Sequence, residues 1–113
     1  MSYVLTEKIK YINIFWIKTM IYTMRGHGLY DSLHRRVALM RGQEIYDGGN
    51  RRVATISGNY LYDSDNRKMM TVRGAYIYDA VNTCVGSLLD AQKKIEGAEE
   101  GMQSVALWYC FIR

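Results

Sequence analysis

Short runs of apolar and β-branched residues, cut by polar turn residues, recur along the middle of the chain. Glu44–Ile45–Tyr46–Asp47 is one such run. It meets a polar turn, and Arg52–Val53–Ala54–Thr55–Ile56 follows. β-Branched and aromatic residues on both sides of a turn predict a β-hairpin. Asp47 is placed to accept hydrogen bonds from the turn amides, and Asn50 tolerates a left-handed backbone. Together they predict a type I turn followed by a G1-like bulge. That turn sets Asp47 opposite Arg51, Tyr46 opposite Arg52 and Ile45 opposite Val53. One face then carries Ile45 and Val53, and the other carries Tyr46, Arg52, Ala54 and Ile56. Two partly apolar faces both need cover.

The hairpin is a repeat. Tyr30–Asp31, Tyr46–Asp47, Tyr62–Asp63 and Tyr78–Asp79 stand 16 residues apart. Five further columns share the register. They are Gly26, Gly42, Gly58 and Gly74; Leu29, Ile45, Leu61 and Ile77; His34, Asn50, Asn66 and Asn82; Val37, Val53, Met69 and Val85; and Met40, Ile56, Val72 and Leu88. The glycine column falls between hairpins, where positive φ costs least. Ile21–Gly26 aligns with Val37–Gly42 and predicts one strand before the first full unit. About nine short strands result, and an open meander leaves sticky edges. Closure into a small barrel-like or pseudo-four-fold arrangement removes them; an open hairpin stack is the alternative.

The motif G-x-x-(I/L)-Y-D-x-x-N-R-(R/K)-(V/M), present four times with substitutions over residues 21–90, resembles the small bacterial four-fold beta flower proteins. It is also similar to the Tyr-Asp hairpins of the far longer Rhs and teneurin shells. The resemblance implies hairpins around a pseudo-four-fold axis and transfers no catalytic residue. The fourth unit departs from the motif, with Thr83 and Cys84 in place of the basic pair, and the first has His34 for Asn.

After the repeats, Ser87-x-x-Asp90 reads as a capping box, or Asp90 itself as an N-cap. Leu88, Ala91, Ile95, Ala98 and Met102 lie on one helix face, weakened by Gly97 and Gly101. Val105 to Ile112 is apolar on every side and fits helix or terminal strand equally. Such a run needs burial against the sheet, a second subunit or a membrane. The expected organisation is an N-terminal extension (1–20), a hairpin-repeat domain (21–89), and a C-terminal helix and apolar segment (90–113). The fold class is therefore mainly β: four 16-residue β-hairpin repeats in a closed or pseudo-four-fold meander, plus a C-terminal helix or apolar tail.

Composition narrows this little. The 113 residues make one domain, 49% hydrophobic and 23% charged, with 10 tyrosines and no proline. Cys84 and Cys110 have neither the number nor the spacing for a disulfide framework or a zinc site, so both are expected reduced in apolar surroundings. Residues 11–24 are mostly apolar, but Lys18 interrupts them, and no 18-residue uncharged apolar stretch occurs. Lys8 and Lys10 before Ile12–Ile17 imitate a signal peptide without a small-residue cleavage site. The expected location is cytoplasmic, with membrane association through the tail as the alternative. Residues 8–19 are dominated by residues of AT-rich codons, and Met20 and Met24 follow, which leaves open an over-extended start.

Three groupings bear on chemistry. Under four-fold symmetry Asp31, Asp47, Asp63 and Asp79 would form a carboxylate ring suited to a hard cation; the same residues suit hairpin turns. Arg35–Arg36, Arg51–Arg52 and Arg67–Lys68 would project from one rim, with Arg41 and Arg73 nearby. Such a rim, with a tyrosine in every unit, is suited to phosphate backbones and base stacking. Alternatively each arginine pairs with its own aspartate or lies over a tyrosine. Residues 25–88 hold nine Lys/Arg against six Asp/Glu, a slight surplus of three. His27 sits between two glycines and His34 in a turn column, and no spacing joins either to a cysteine. No P-loop, GxGxxG or HExxH is present, and the methionines apart from Met1 read as core filler. The expectation is a non-enzymatic structural or protein-interaction module without cofactor or metal. Self-association or a protein partner is expected through residues 102–112. The rivals are nucleic-acid binding by the rim and membrane attachment by the tail.

Overall fold

The computed structural model describes residues 21–98 and 101–113. The N-terminal extension, and with it the question of the start, lies outside the described residues. Nine strands form an antiparallel meander: β1 Tyr22–Arg25, β2 Gly28–Tyr30, β3 Arg36–Arg41, β4 Glu44–Asp47, β5 Arg52–Ser57, β6 Tyr60–Asp63, β7 Lys68–Arg73, β8 Tyr76–Asp79 and β9 Cys84–Ser87. Helix α1 (Leu88–Lys93) follows, then the two-residue strand β10 (Ile95–Glu96), which pairs parallel with β1. Helix α2 (Met102–Leu107) runs into a π-helical turn, Trp108–Ile112.

Two turn chemistries alternate along the meander. At the aspartate turns, Asp47 N–H donates to the Arg51 carbonyl and Asn50 N–H to the Asp47 carbonyl, at 2.9 and 3.0 Å. The same pair of bonds recurs at Asp31, Asp63 and Asp79. His34, Asn50, Asn66 and Asn82 take φ between 62° and 67° there, the left-handed region that Asn tolerates best after Gly. At the other end, two-residue connections such as Gly42–Gln43 carry positive φ on the glycine alone, as in a type II′ hairpin turn.

The pairing departs from expectation one step beyond the aspartate turn. Tyr46 lies opposite Arg52, but Ile45 lies opposite Ala54. Val53 is therefore an unpaired bulge residue, as are Val37, Met69 and Val85 in the other hairpins. The extra residue moves Ala54 and Ile56 onto the face of Ile45, and leaves Tyr46, Arg52 and Thr55 on the other. The faces are thus segregated, not mixed. Leu29, Ala38, Ile45, Ala54, Leu61, Met70 and Ile77 are fully buried on the inner face. Each large aliphatic among them contributes about 1.5–3 kcal/mol of transfer free energy.

The sheet does not close by hydrogen bonds; β9 and β10 are its edges. Nine flat strand spacings would separate these edges by about 43 Å. The chain from Ser87 to Ile95, mostly one short helix, reaches about 20 Å at most. The sheet is therefore strongly curled. Closure fails because the chain leaves β9 as a helix: Ser87 Oγ accepts from Asp90 N–H and the Asp90 carboxylate accepts from Ser87 N–H, a full capping box. The continuous helix expected from Asp90 onward is broken. Ile95 is buried in β10, and Gly97 (φ 80°) and Gly101 (φ 131°) take backbones that a helix excludes.

Residues 105–112 are helical, and they fill the concave side. Ser104 to Trp108 are buried, and Tyr109 Oη donates to the Met69 carbonyl at 3.3 Å. The indole of Trp108 lies on Gly86, at the position held by Ala38, Ala54 and Met70 in the other hairpins. A Cβ at Gly86 would stand 2.7 Å from Trp108 Cη2. Gly86→Ala is expected to destabilise by about 1–3 kcal/mol in urea unfolding through overpacking. Added to Trp108→Leu, the same methyl should cost clearly less. Equal costs in both backgrounds would contradict the packing described.

Candidate functional site

The outer face is built from the columns that the bulge turns away from the core. Three of the four aspartate turns, those of Asp31, Asp47 and Asp63, pair their carboxylate with an arginine of the same turn. Asp31, Asp47, Asp63 and Asp79 each accept two backbone N–H bonds through Oδ1, at 2.9–3.0 Å. Arg35 donates from Nε to Asp31 Oδ2 at 3.0 Å; Arg67 lies 3.4 Å from Asp63 and 3.2 Å from Asp65; Arg51 lies 3.5 Å from Asp47. These amide bonds, from Arg35, Arg51 and Arg67 first, hold the Asp31, Asp47 and Asp63 carboxyls below their ordinary range. No carboxylate ring forms: no group of three or more His, Cys, Asp and Glu placed to hold a metal exists among the described residues.

The rest of the rim divides. Arg52 donates to Glu44 at 3.2 Å, and Tyr46 Oη donates to the same carboxylate at 2.9 Å. Those bonds, that from Tyr46 foremost, lower the Glu44 carboxyl, while the Glu44 acceptor raises the Tyr46 phenol. Arg36 lies opposite Tyr30 with no carboxylate partner among the described residues. Lys68 places Nζ 4.8 Å from the Tyr60 ring centroid. Arg25, Arg41 and Arg73 stack over Tyr30, Tyr46 and Tyr78 at 4.2, 4.9 and 3.9 Å. Tyr62 packs its ring 6.4 Å from that of Tyr60 at 59°.

One series of outer-face positions spaced by 16 residues changes character along the chain: Gly28, Glu44, Tyr60 and Tyr76. Where Glu44 neutralises its hairpin, Tyr60 and Tyr76 are 41% and 51% exposed. Beside them a cleft of about 260 Å³ opens over β7, lined by Tyr60, Lys68, Thr71, Arg73, Asp79 and Asn82 among others. Arg73 Nη1 donates to Asn82 Oδ1 at 3.1 Å. Of these residues the rim expectation named Lys68 as a site and Arg73 as its neighbour. Tyr60 and Tyr76 stand in a column that varies in chemistry, Gly28, Glu44, Tyr60 and Tyr76, which shared residue types do not disclose.

The histidines and cysteines stay apart from this cleft. His34 serves the first turn, and the His27 carbonyl accepts from Met40 N–H. Cys84 is exposed, and burial pushes the half-buried Cys110 thiol up to about 11. Comparison with family models, curated proteins and solved structures finds no match for the chain.

Two outcomes follow from these groups. The lowered carboxyls of Asp31, Asp47 and Asp63, like that of Glu44, release their protons more readily in the folded chain than in the unfolded one. Their contribution is complete above about pH 4, the ordinary carboxylate value, and is lost as pH falls through the lowered folded values. Thermal unfolding should be level from pH 7 to 5 and fall steeply below 4, with Asp31→Asn, Asp47→Asn and Asp63→Asn together flattening that fall. Iodoacetamide at pH 8 should label one thiol in the native chain and none in Cys84→Ser, because a thiol with a pKa near 11 is almost wholly protonated there.

Proposed function

We propose that this chain is a non-enzymatic structural or interaction module: a hairpin scaffold whose outer face over β6–β8 meets a partner. The observation that carries the reading is the contrast between copies. The aspartate turns use the same hydrogen bonds four times, whereas the exposed column ending in Tyr60 and Tyr76 changes along the chain. Constant positions build; variable exposed aromatic positions beside cations suit recognition, since tyrosine and arginine are enriched in binding hot spots. On this reading the hairpins are copies of one 16-residue unit, and the chain is a bacterial, cytoplasmic relative of the four-fold beta flower proteins. The Tyr-Asp turns support the kinship, and two unpaired cysteines, one of them exposed, support a reducing compartment.

The other expectations have weaker footing. Arg35, Arg51 and Arg67 are each engaged by the turn aspartate. The tail intended for a membrane or a second subunit has its apolar side chains against the sheet. Among the described residues no helix is long and apolar enough to cross a membrane.

Photo-crosslinking in cells tests the proposal, with benzoylphenylalanine at position 76 and, as control, at 51. A discrete adduct at 76 absent from 51 is expected. Equal, diffuse labelling at the two positions would overturn it.

A further inference from the structure

The cleft over β7 has a chemistry of its own. Tyr60, Thr71 and Tyr78 lie in register across three strands. The short, buried Thr71 therefore separates two tyrosines whose backbones are about 10 Å apart. Two cations fold in from the ends of β7: Lys68 over Tyr60 and Arg73 over Tyr78. Neither has a carboxylate ion pair among the described residues, unlike Arg35, Arg51, Arg52 and Arg67. In β4–β5 the corresponding place is filled by the Glu44–Tyr46–Arg52 cluster, which is neutralised and closed on itself.

We propose that this cleft binds single-stranded nucleic acid. The inference rests on the reading of this outer face as the interaction surface, and names its partner. The Tyr60 ring, exposed in the cleft lining, offers stacking surface to an unpaired base, a contact available to every base. Lys68 and Arg73 start from opposite ends of a six-residue strand, about 17 Å apart at the backbone, which suits phosphates more than one nucleotide apart along a chain better than a single phosphate. Their charge is complementary to a phosphodiester chain. The Asp79 carboxylate at the margin repels phosphate and accepts hydrogen bonds from a base amino group, as does the Asn82 carbonyl oxygen. Phosphates are thereby directed to the Lys68 and Arg73 heads, and base edges toward Asp79.

Fluorescence anisotropy with a labelled dT12 oligonucleotide, titrated with salt, tests this. Binding is expected at low salt, with Tyr60→Ala weakening it about tenfold. Tyr60→Phe, which keeps the ring and confirms that the site still folds, should retain affinity. Lys68→Ala and Arg73→Ala should each lower the salt slope by about one. Arg51→Ala, exposed but held by Asp47, should leave affinity and slope unchanged. No binding of dT12, or equal losses at Arg51 and Lys68, would overturn the proposal. So would binding of free dTMP as tightly as dT12, since a chain is then not what the cleft reads. A nuclease-resistant protein adduct at position 76 with no dT12 binding would remove the nucleic-acid partner and leave the interaction surface standing.

Discussion

A single unpaired residue in each hairpin sets both the curvature and the sidedness of this sheet. An antiparallel pair alternates its faces with period two, so one inserted residue exchanges everything beyond it. Val53 is that residue in the second hairpin. Without it, Ala54 and Ile56 would face outward with Tyr46, and the sheet would have two half-greasy faces. With it, the aliphatic columns are gathered on one side and the tyrosine, threonine and basic columns on the other. A bulge also bends its strand and sharpens the local twist. Four bulges stand at the same step after an aspartate turn, so the bending falls at equivalent places along the meander. Nine strand spacings are thereby brought within reach of a bridge as short as α1.

Curling without closing leaves a concave floor that the meander cannot fill by itself. Its inner residues are small at the centre, Ala38, Ala54 and Gly86, with Met70 the larger exception. The C-terminal helical segment supplies the missing volume. Trp108 needs the absence of a side chain at Gly86, and Val105, Ala106 and Leu107 join the same buried cluster. Bulge residues Val53 and Met69 line a shallow cleft with Tyr109 and Phe111 along one margin of that plug. The tail's uniform hydrophobicity follows from this surround: an element packed into a trough has little face left for solvent.

That origin also explains what could be read from the chain and what could not. Turn chemistry is local, so Asp47, Asn50 and Gly42 disclosed their roles through residue type and spacing alone. The leading strand Tyr22–Arg25 and the Ser87–Asp90 cap were legible for the same reason. The position of the bulge escaped the sequence, although adjacent apolar residues at Val53 and Ala54 break strict alternation, the available sign of an inserted residue. Val105–Ile112 was undecidable by periodicity because every position is apolar. Its state depends on tertiary surroundings, the curled floor above all. The division of the rim was not legible either. Sequence adjacency grouped Arg51 with Arg52 and Arg67 with Lys68, whereas in space the members of each pair answer to different partners.

Those partners decide which cations remain available. A guanidinium such as Arg51 is 84% exposed, yet it sits within 3.5 Å of a carboxylate that two amides hold ionised. A second anion approaching Arg51 meets the field of Asp47 as well, and the net attraction is small. Lys68 is exposed too, but it has a tyrosine ring, not a carboxylate, beneath it. A ring quadrupole attracts the cation without cancelling its charge. Exposure alone therefore does not separate the compensated cations of this surface from the others. What stands at the position of Glu44 does separate them: Glu44 accepts from Arg52, whereas Tyr60, 16 residues on, lies under Lys68, which has no carboxylate ion pair among the described residues.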